Sequence, residues 1–157
     1  MNKGIRTHIL IRVTPGKESR VSEDLEDFFY PYDQSVRSYR TPYHGLVILE
    51  TRLVAERALE LLRRCRIGYL RSFTVLNGLV SVSNWKKILE IISKKIPREY
   101  EISLKVKVRG RKQELNKLMD LIREEIVKRG YTVSEEAKLI VRLETLDDVI
   151  GIVIENI

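Results

Sequence analysis

Over the first 80 residues the hydrophobic pattern switches between a period of two and a period near 3.6, in an order that few folds accommodate. Thr7, Ile9, Ile11 and Val13 alternate with Arg6, His8 and Arg12, the pattern of a half-buried strand. Thr14, Pro15 and Gly16 interrupt it. Over residues 17–30, Val21, Leu25, Phe28 and Phe29 fall on one helical face, and Pro31, which cannot continue a helix, ends it. Two extended runs at 35–40 and 45–52 flank Thr41, Pro42, Tyr43 and His44, a spacing suited to a hairpin. Leu46, Val47, Ile48 and Leu49 leave neither side polar, as in a central strand. A helix over 54–65 is predicted to turn Ala55, Ala58, Leu59 and Leu62 inward, and a strand over 69–76 closes the unit before Asn77 and Gly78. The order βαββαβ predicts a ferredoxin-like unit, an antiparallel sheet with both helices on one face.

A second pattern begins near Ser83, a residue type suited to capping a helix. Trp85, Ile88, Leu89, Ile92 and Ile96 hold one stripe up to Pro97. Ile102, Leu104, Val106 and Val108 then alternate with Ser103, Lys105, Lys107 and Arg109, and Gly110 follows. A helix over 113–129 aligns Leu115, Leu118, Met119, Ile122 and Ile126, with Gly130 at its C-terminal cap. Strands at 137–144 and 149–154 complete an αβαββ unit. The chain therefore reads as α+β, with domains at 1–80 and 81–157. The short, partly apolar connection at 79–83 predicts that the halves pack at a fixed angle.

Charge is distributed unevenly between these units. The net charge is +7, yet residues 61–112 carry 14 Lys/Arg against three Asp/Glu. Residues 1–60 carry nine of each, and 113–157 carry six against ten. Such a segment suits a polyanion whose counterions are released on binding, which nucleic acid provides. An anionic membrane would favour a basic amphipathic helix with aromatic anchors. The Trp85 helix fits that description, although its stripe is equally that of an ordinary packed helix, and no membrane partner is predicted. Hydrophobic content of 43% with 32% charged residues describes a chain that buries a core. The single cysteine, Cys65, excludes an internal disulfide, and no signal-peptide run or 18-residue apolar stretch is present, so a cytoplasmic protein is expected.

Within the basic segment, Lys105, Lys107 and Arg109 repeat a cation every ~6.6 Å along one strand face and continue into Arg111 and Lys112. A row of that kind can follow a phosphodiester backbone, and it is also what protects an exposed sheet edge. No acid is expected on that face. Lys86 and Lys87 stand in the first turn of their helix, where a cation opposes the helix dipole. Lys94 and Lys95 lie on its polar side. Arg64, Arg66 and Arg71, with Arg63, place guanidinium groups suited to bidentate phosphate contacts at the end of one helix and the start of the next strand. Tyr39, Tyr43 and His44 could stack unpaired bases from a hairpin tip. Trp85, which begins the apolar stripe, reads as a core or interdomain residue.

For catalysis the inventory is thin. His8 and His44 are far apart in sequence, and Cys65 lies among arginines that could lower its thiol pKa but has no base placed by motif. Two histidines and one cysteine show no metal-ligand spacing. No catalytic residue, metal or cofactor is predicted.

The stretches EISLKVKVRGRK (101–112), LNKLMDLIREEIVKRG (115–130) and AKLIVRLETLDDVIGIVIENI (137–157) resemble the THUMP domain, a module of tRNA-modifying enzymes and their partners. The first half is similar to the ferredoxin-like domain that usually precedes it. The chain departs from the pattern at Ser134, Glu135 and Glu136, where the family often has a Pro-Asp or Pro-Glu step. The resemblance implies that the pair of domains engages tRNA, with the acceptor stem and 3′ end as the usual contact, while a separate domain modifies a distant nucleotide. Neither a GxGxxG loop for a methyl donor nor an SGGxDS-type loop is found in this sequence. The resemblance therefore implies a stand-alone, non-catalytic adaptor that presents tRNA to a separate modifying enzyme, similar to the partners of tRNA cytidine acetyltransferase. The alternative is a subunit of a multi-chain tRNA methyltransferase or thiolase with a composite active site.

Overall fold

A computed structural model describes residues 6–156. The chain divides into two compact units, one ending at Leu76 and the other beginning at Asn77.

In the first unit, β1 (Thr7–Val13), α1 (Glu18–Phe29), β2 (Arg37–Arg40), β3 (Leu46–Thr51), α2 (Ala55–Arg64) and β4 (Leu70–Leu76) follow one another. The sheet order is β2-β3-β1-β4 and every pairing is antiparallel. This is the ferredoxin-like arrangement. Ile9, Ile11 and Val13 of β1 join Val47 and Leu49 of β3 in one core with Val21, Leu25 and Phe29 of α1 and Ala58, Leu61 and Leu62 of α2. Both helices therefore cover the same face. The inward face of α2 is Ala58, Leu61 and Leu62; Ala55 and Leu59, also expected inward, are only half-buried. Glu26 lies on α1, and its carboxylate accepts the Ser38 amide at 2.7 Å, tying the helix to edge strand β2.

Asp33 organises the turn that follows α1. Its carboxylate accepts the Ser35 amide at 2.9 Å and hydroxyl at 2.6 Å, the Thr51 hydroxyl at 2.7 Å and the Arg52 amide at 2.8 Å. Burial alone would raise its pKa, but these four donors together hold it down at about 2.

The second unit contains β5 (Gly78–Ser81), a short 3-10 turn (Val82–Asn84), α3 (Lys87–Lys95), β6 (Glu101–Lys107), α4 (Lys112–Lys128), β7 (Thr132–Val133), β8 (Leu139–Leu146) and β9 (Val149–Asn156). Its sheet order is β5-β9-β8-β6-β7, with β6 parallel to both neighbours and the other pairs antiparallel. Ile88, Leu89 and Ile92 of α3 and Met119, Ile122 and Ile126 of α4 pack with Ile102, Leu104, Val141, Leu143, Ile150 and Ile152. One face of this sheet is thus also covered by both helices, and Trp85 packs against that core.

Several local expectations change. The stretch read as a connection contains edge strand β5, which pairs with β9, so the unit begins with a strand. Ser83 does not cap α3; its hydroxyl lies 2.9 Å from that of Ser81, and the helix starts at Lys87 with no side-chain cap. At Ser134, Glu135 and Glu136, the Ser134 amide donates to Ile102 O at 2.9 Å and its hydroxyl accepts the Glu136 amide at 3.3 Å. A serine turn thus shapes this stretch.

Candidate nucleic-acid interface

In β6 the burial of Ile102 and Leu104 leaves Ser103, Lys105 and Lys107 on the face away from the helices. Ser103 is buried, while Lys105 and Lys107 are exposed. The expected row stops there. The strand ends at Lys107, and the Thr145 hydroxyl clamps the backbone beyond it, accepting the Arg109 amide at 2.6 Å and donating to Arg109 O at 2.8 Å. The Arg109 guanidinium turns inward, 14% exposed, with Nη2 3.5 Å from buried Glu144. Arg109 is therefore a paired internal cation rather than the third member of a solvent-facing line. Nor is the face free of acids. Lys107 stands opposite Glu144 in the register, and Lys105 stands opposite Arg142, which itself bonds Glu155 at 3.1 Å. Those acids come from β8 and β9, far away in sequence.

Gly110, at φ 106°, turns the chain from β6 into α4. Arg111 occupies the cap position and Lys112 the first helical residue. Arg111 reaches Glu114 at 3.5 Å and Asp148 at 3.7 Å. Asp148 also accepts the Val82 amide on its backbone oxygen at 2.8 Å, so the approach to α3 and the start of α4 meet at the β8–β9 turn. Lys107, Arg111, Lys112, Lys86 and Lys87 thus share one end of the second unit. Lys86 Nζ lies 5.9 Å from the Trp85 ring centroid.

The first unit gathers a different set of cations. Arg64 closes α2, Arg66 follows it, and Arg71 sits at a bulge in β4, where Arg12 pairs with Ser72 but Val13 pairs with Leu70. All three are exposed. Among the described residues none of them makes an ion pair. The Thr14 amide donates to Tyr69 O at 2.9 Å, joining the β1–α1 turn to the α2–β4 loop. That contact brings in Lys17, with Nζ 4.8 Å from the Tyr69 ring centroid, and Arg20, with Cζ at 5.6 Å. Sequence reasoning missed Lys17, Arg20 and Tyr69, because the two cations lie in a stretch that sums to zero charge and nothing local links them to residue 69.

Glu18 sits beside Lys17 but adds little negative surface. Its carboxylate is buried and accepts the Gly45 amide at 2.8 Å and the Gly16 amide at 2.9 Å. These bonds, that from Gly45 foremost, hold its pKa below the usual carboxylate range. His44, largely exposed, is 3.9 Å away.

The remaining sequence candidates come apart. Tyr39 lies within β2 opposite Ile48, and burial, followed by the Glu50 charge, pushes its phenol pKa up. It does not stand at the hairpin tip with Tyr43 and His44. His8 bonds Glu50 at 3.1 Å, and Arg6 and Arg37 each approach the same carboxylate at 3.9 Å. The Cys65 thiol donates to Leu62 O at 3.1 Å, and burial raises its pKa, against the lowering that neighbouring arginines suggested. Among the described residues no three His, Cys, Asp or Glu side chains group as metal ligands. No helix among them is long and apolar enough to cross a membrane. A cavity of about 690 Å³ in the second unit is lined by residues of both signs, including Lys95, Glu101, Glu136 and Lys138, and by exposed Tyr100.

No protein-family model matches the sequence, and no curated protein matches it. Solved structures do match the fold. PH1313 from Pyrococcus horikoshii OT3 aligns over 96% of this chain and 54% of its own, with a TM-score of 0.64 and 12% identity. A 4-thiouridine synthetase, crystallised in complex with RNA and with bound ATP, aligns over 98% of this chain and 42% of its own, with a TM-score of 0.60 and 13% identity. TrmN from Thermus thermophilus aligns over 96% of this chain and 46% of its own, with a TM-score of 0.52 and 16% identity. The chain spans about half the length of each of them. Two α+β units, with two sheets and four helices among the described residues, give this chain the THUMP-like fold of those structures.

Proposed function

We propose that the protein is a non-catalytic RNA-binding adaptor that takes tRNA, through its acceptor stem and 3′ end, and presents it to a separate tRNA-modifying enzyme. The observation that carries this reading is the clustering of exposed cations that make no ion pair among the described residues: Lys107, Lys112, Lys86 and Lys87 at one end of the second unit, and Arg64, Arg66 and Arg71 in the first. Lysine and arginine at that density release counterions from a phosphate backbone, whereas a small acidic ligand needs one enclosed pocket. Likeness of fold to a synthetase crystallised with RNA supports it further.

Filter binding of the purified protein to tRNA, with and without its 3′ terminal nucleotides, tests the proposal. Salt-sensitive binding that weakens when those nucleotides are removed is expected. Absence of any salt-sensitive affinity for tRNA overturns it. A tRNA modification catalysed by the protein on its own would overturn the non-catalytic part.

A further inference from the structure

Tyr69 adopts φ 70°, a left-handed conformation that side chains other than glycine and asparagine seldom take. Its neighbour Gly68 could have absorbed this turn without strain and does not. The strained position therefore carries the large side chain, and that residue is 43% exposed rather than held in a core. The ring has an ammonium and a guanidinium within cation–π range, from Lys17 and Arg20. Two residues on, the β4 bulge leaves both Arg71 and Ser72 exposed after inward-facing Leu70. Bulges commonly re-aim side chains in this way. Glu18, which follows Lys17 in sequence, is buried on backbone amides.

We infer that Lys17, Arg20, Tyr69 and Arg71 form a subsite for an unpaired RNA nucleotide, with the base stacked on Tyr69 and the flanking phosphates held by the three cations. The inference rests on the RNA-binding reading above and deepens it. A duplex offers phosphates but no free base face, whereas a single-stranded segment offers both, and stacking on an aromatic ring does not depend on base identity. Guanidinium groups at positions 20 and 71 add bidentate phosphate contacts. An acidic protein surface would use the cations but would leave the strained, exposed tyrosine without a role.

The test compares a blunt RNA duplex with the same duplex bearing a single-stranded tail, for the full chain and for Tyr69→Gly and Tyr69→Phe. Glycine relieves the backbone while deleting the ring, so the melting temperature should hold or rise, and a loss of binding then cannot come from misfolding. The preference for the tailed RNA should fall about tenfold in Tyr69→Gly and persist in Tyr69→Phe, as expected for one lost base stack. Affinity for the blunt duplex should not change. Binding of both RNAs by the unmodified protein, with the tail preference intact in Tyr69→Gly, overturns this inference alone. Binding of neither RNA by the unmodified protein overturns the adaptor reading as well. Unchanged RNA binding in Tyr69→Gly, with loss of affinity for polyglutamate, would assign the patch to an acidic protein surface instead.

Discussion

The two basic ends differ in where their acids go. In the first unit Glu18 is buried on the amides of Gly16 and Gly45, so the cations near it stay unpaired and outward. In the second unit Glu144, Glu114 and Asp148 meet arginines directly, and Arg109 and Arg111 are partly taken up by those pairs. Positive charge is therefore not equivalent to available charge. An arginine beside a buried carboxylate shapes the fold, whereas one beside a carboxylate already bonded to the backbone remains open to a ligand.

The largest effect that would break this contrast is expected at Arg109. Arg109→Ala removes the cation 3.5 Å from buried Glu144 and should cost about 3 kcal/mol in urea unfolding. A change within experimental error would mean that Arg109 is a surface cation after all. Asp33→Asn comes next, at about 2 kcal/mol, because the amide cannot accept all four bonds made to the carboxylate. The Asp33 pKa is depressed to about 2 from 3.8, so its stabilisation is complete above pH 3.8 and lost as pH falls through 2. Stabilities of the two proteins, compared across that range, should converge at the acid end. A gap that stays constant with pH would show that the carboxylate's charge is not responsible.

Smaller effects concern binding. Converting Lys105 and Lys107 together to glutamate should lower tRNA affinity about tenfold and reduce the slope of log K against log salt by about 2. Unaltered affinity and slope would remove the β6 face from the interface. The smallest change is predicted for Arg111→Ala, whose exposed pairs with Glu114 and Asp148 contribute about 0.5 kcal/mol to thermal stability. A larger loss would show that the β8–β9 turn depends on that contact.

Residue periodicity made most of the elements legible, because α1, α3, β6 and α4 each bury one face and largely expose the other, while β1 alternates buried Ile9, Ile11 and Val13 with half-buried His8 and Arg12. Strand β5 escaped because Gly78, Leu79, Val80 and Ser81 are few and hardly alternate, and their partner is the distant strand β9. Leu61 was hidden by nearby Leu59 and adjacent Leu62, which blur the phase of a ten-residue helix. The candidate site was less readable. Arg109 looks like its outward neighbours until Glu144 and Thr145 arrive from β8. Tyr69 gave a misleading local signal, since a glycine beside it suggests that the glycine makes the turn. In each case the missing information is a pairing between distant segments.

The pairing of Gly78 with Ile152 also sets a timetable. The first strand of the second unit borders β9, so during synthesis its edge waits unpaired until β9 has left the ribosome. Such long-range closure is slow compared with forming a helix. The first unit completes its sheet when β4 emerges and can be folded while its neighbour is still being made, which gives the arginine-rich end a head start over the lysine-rich one.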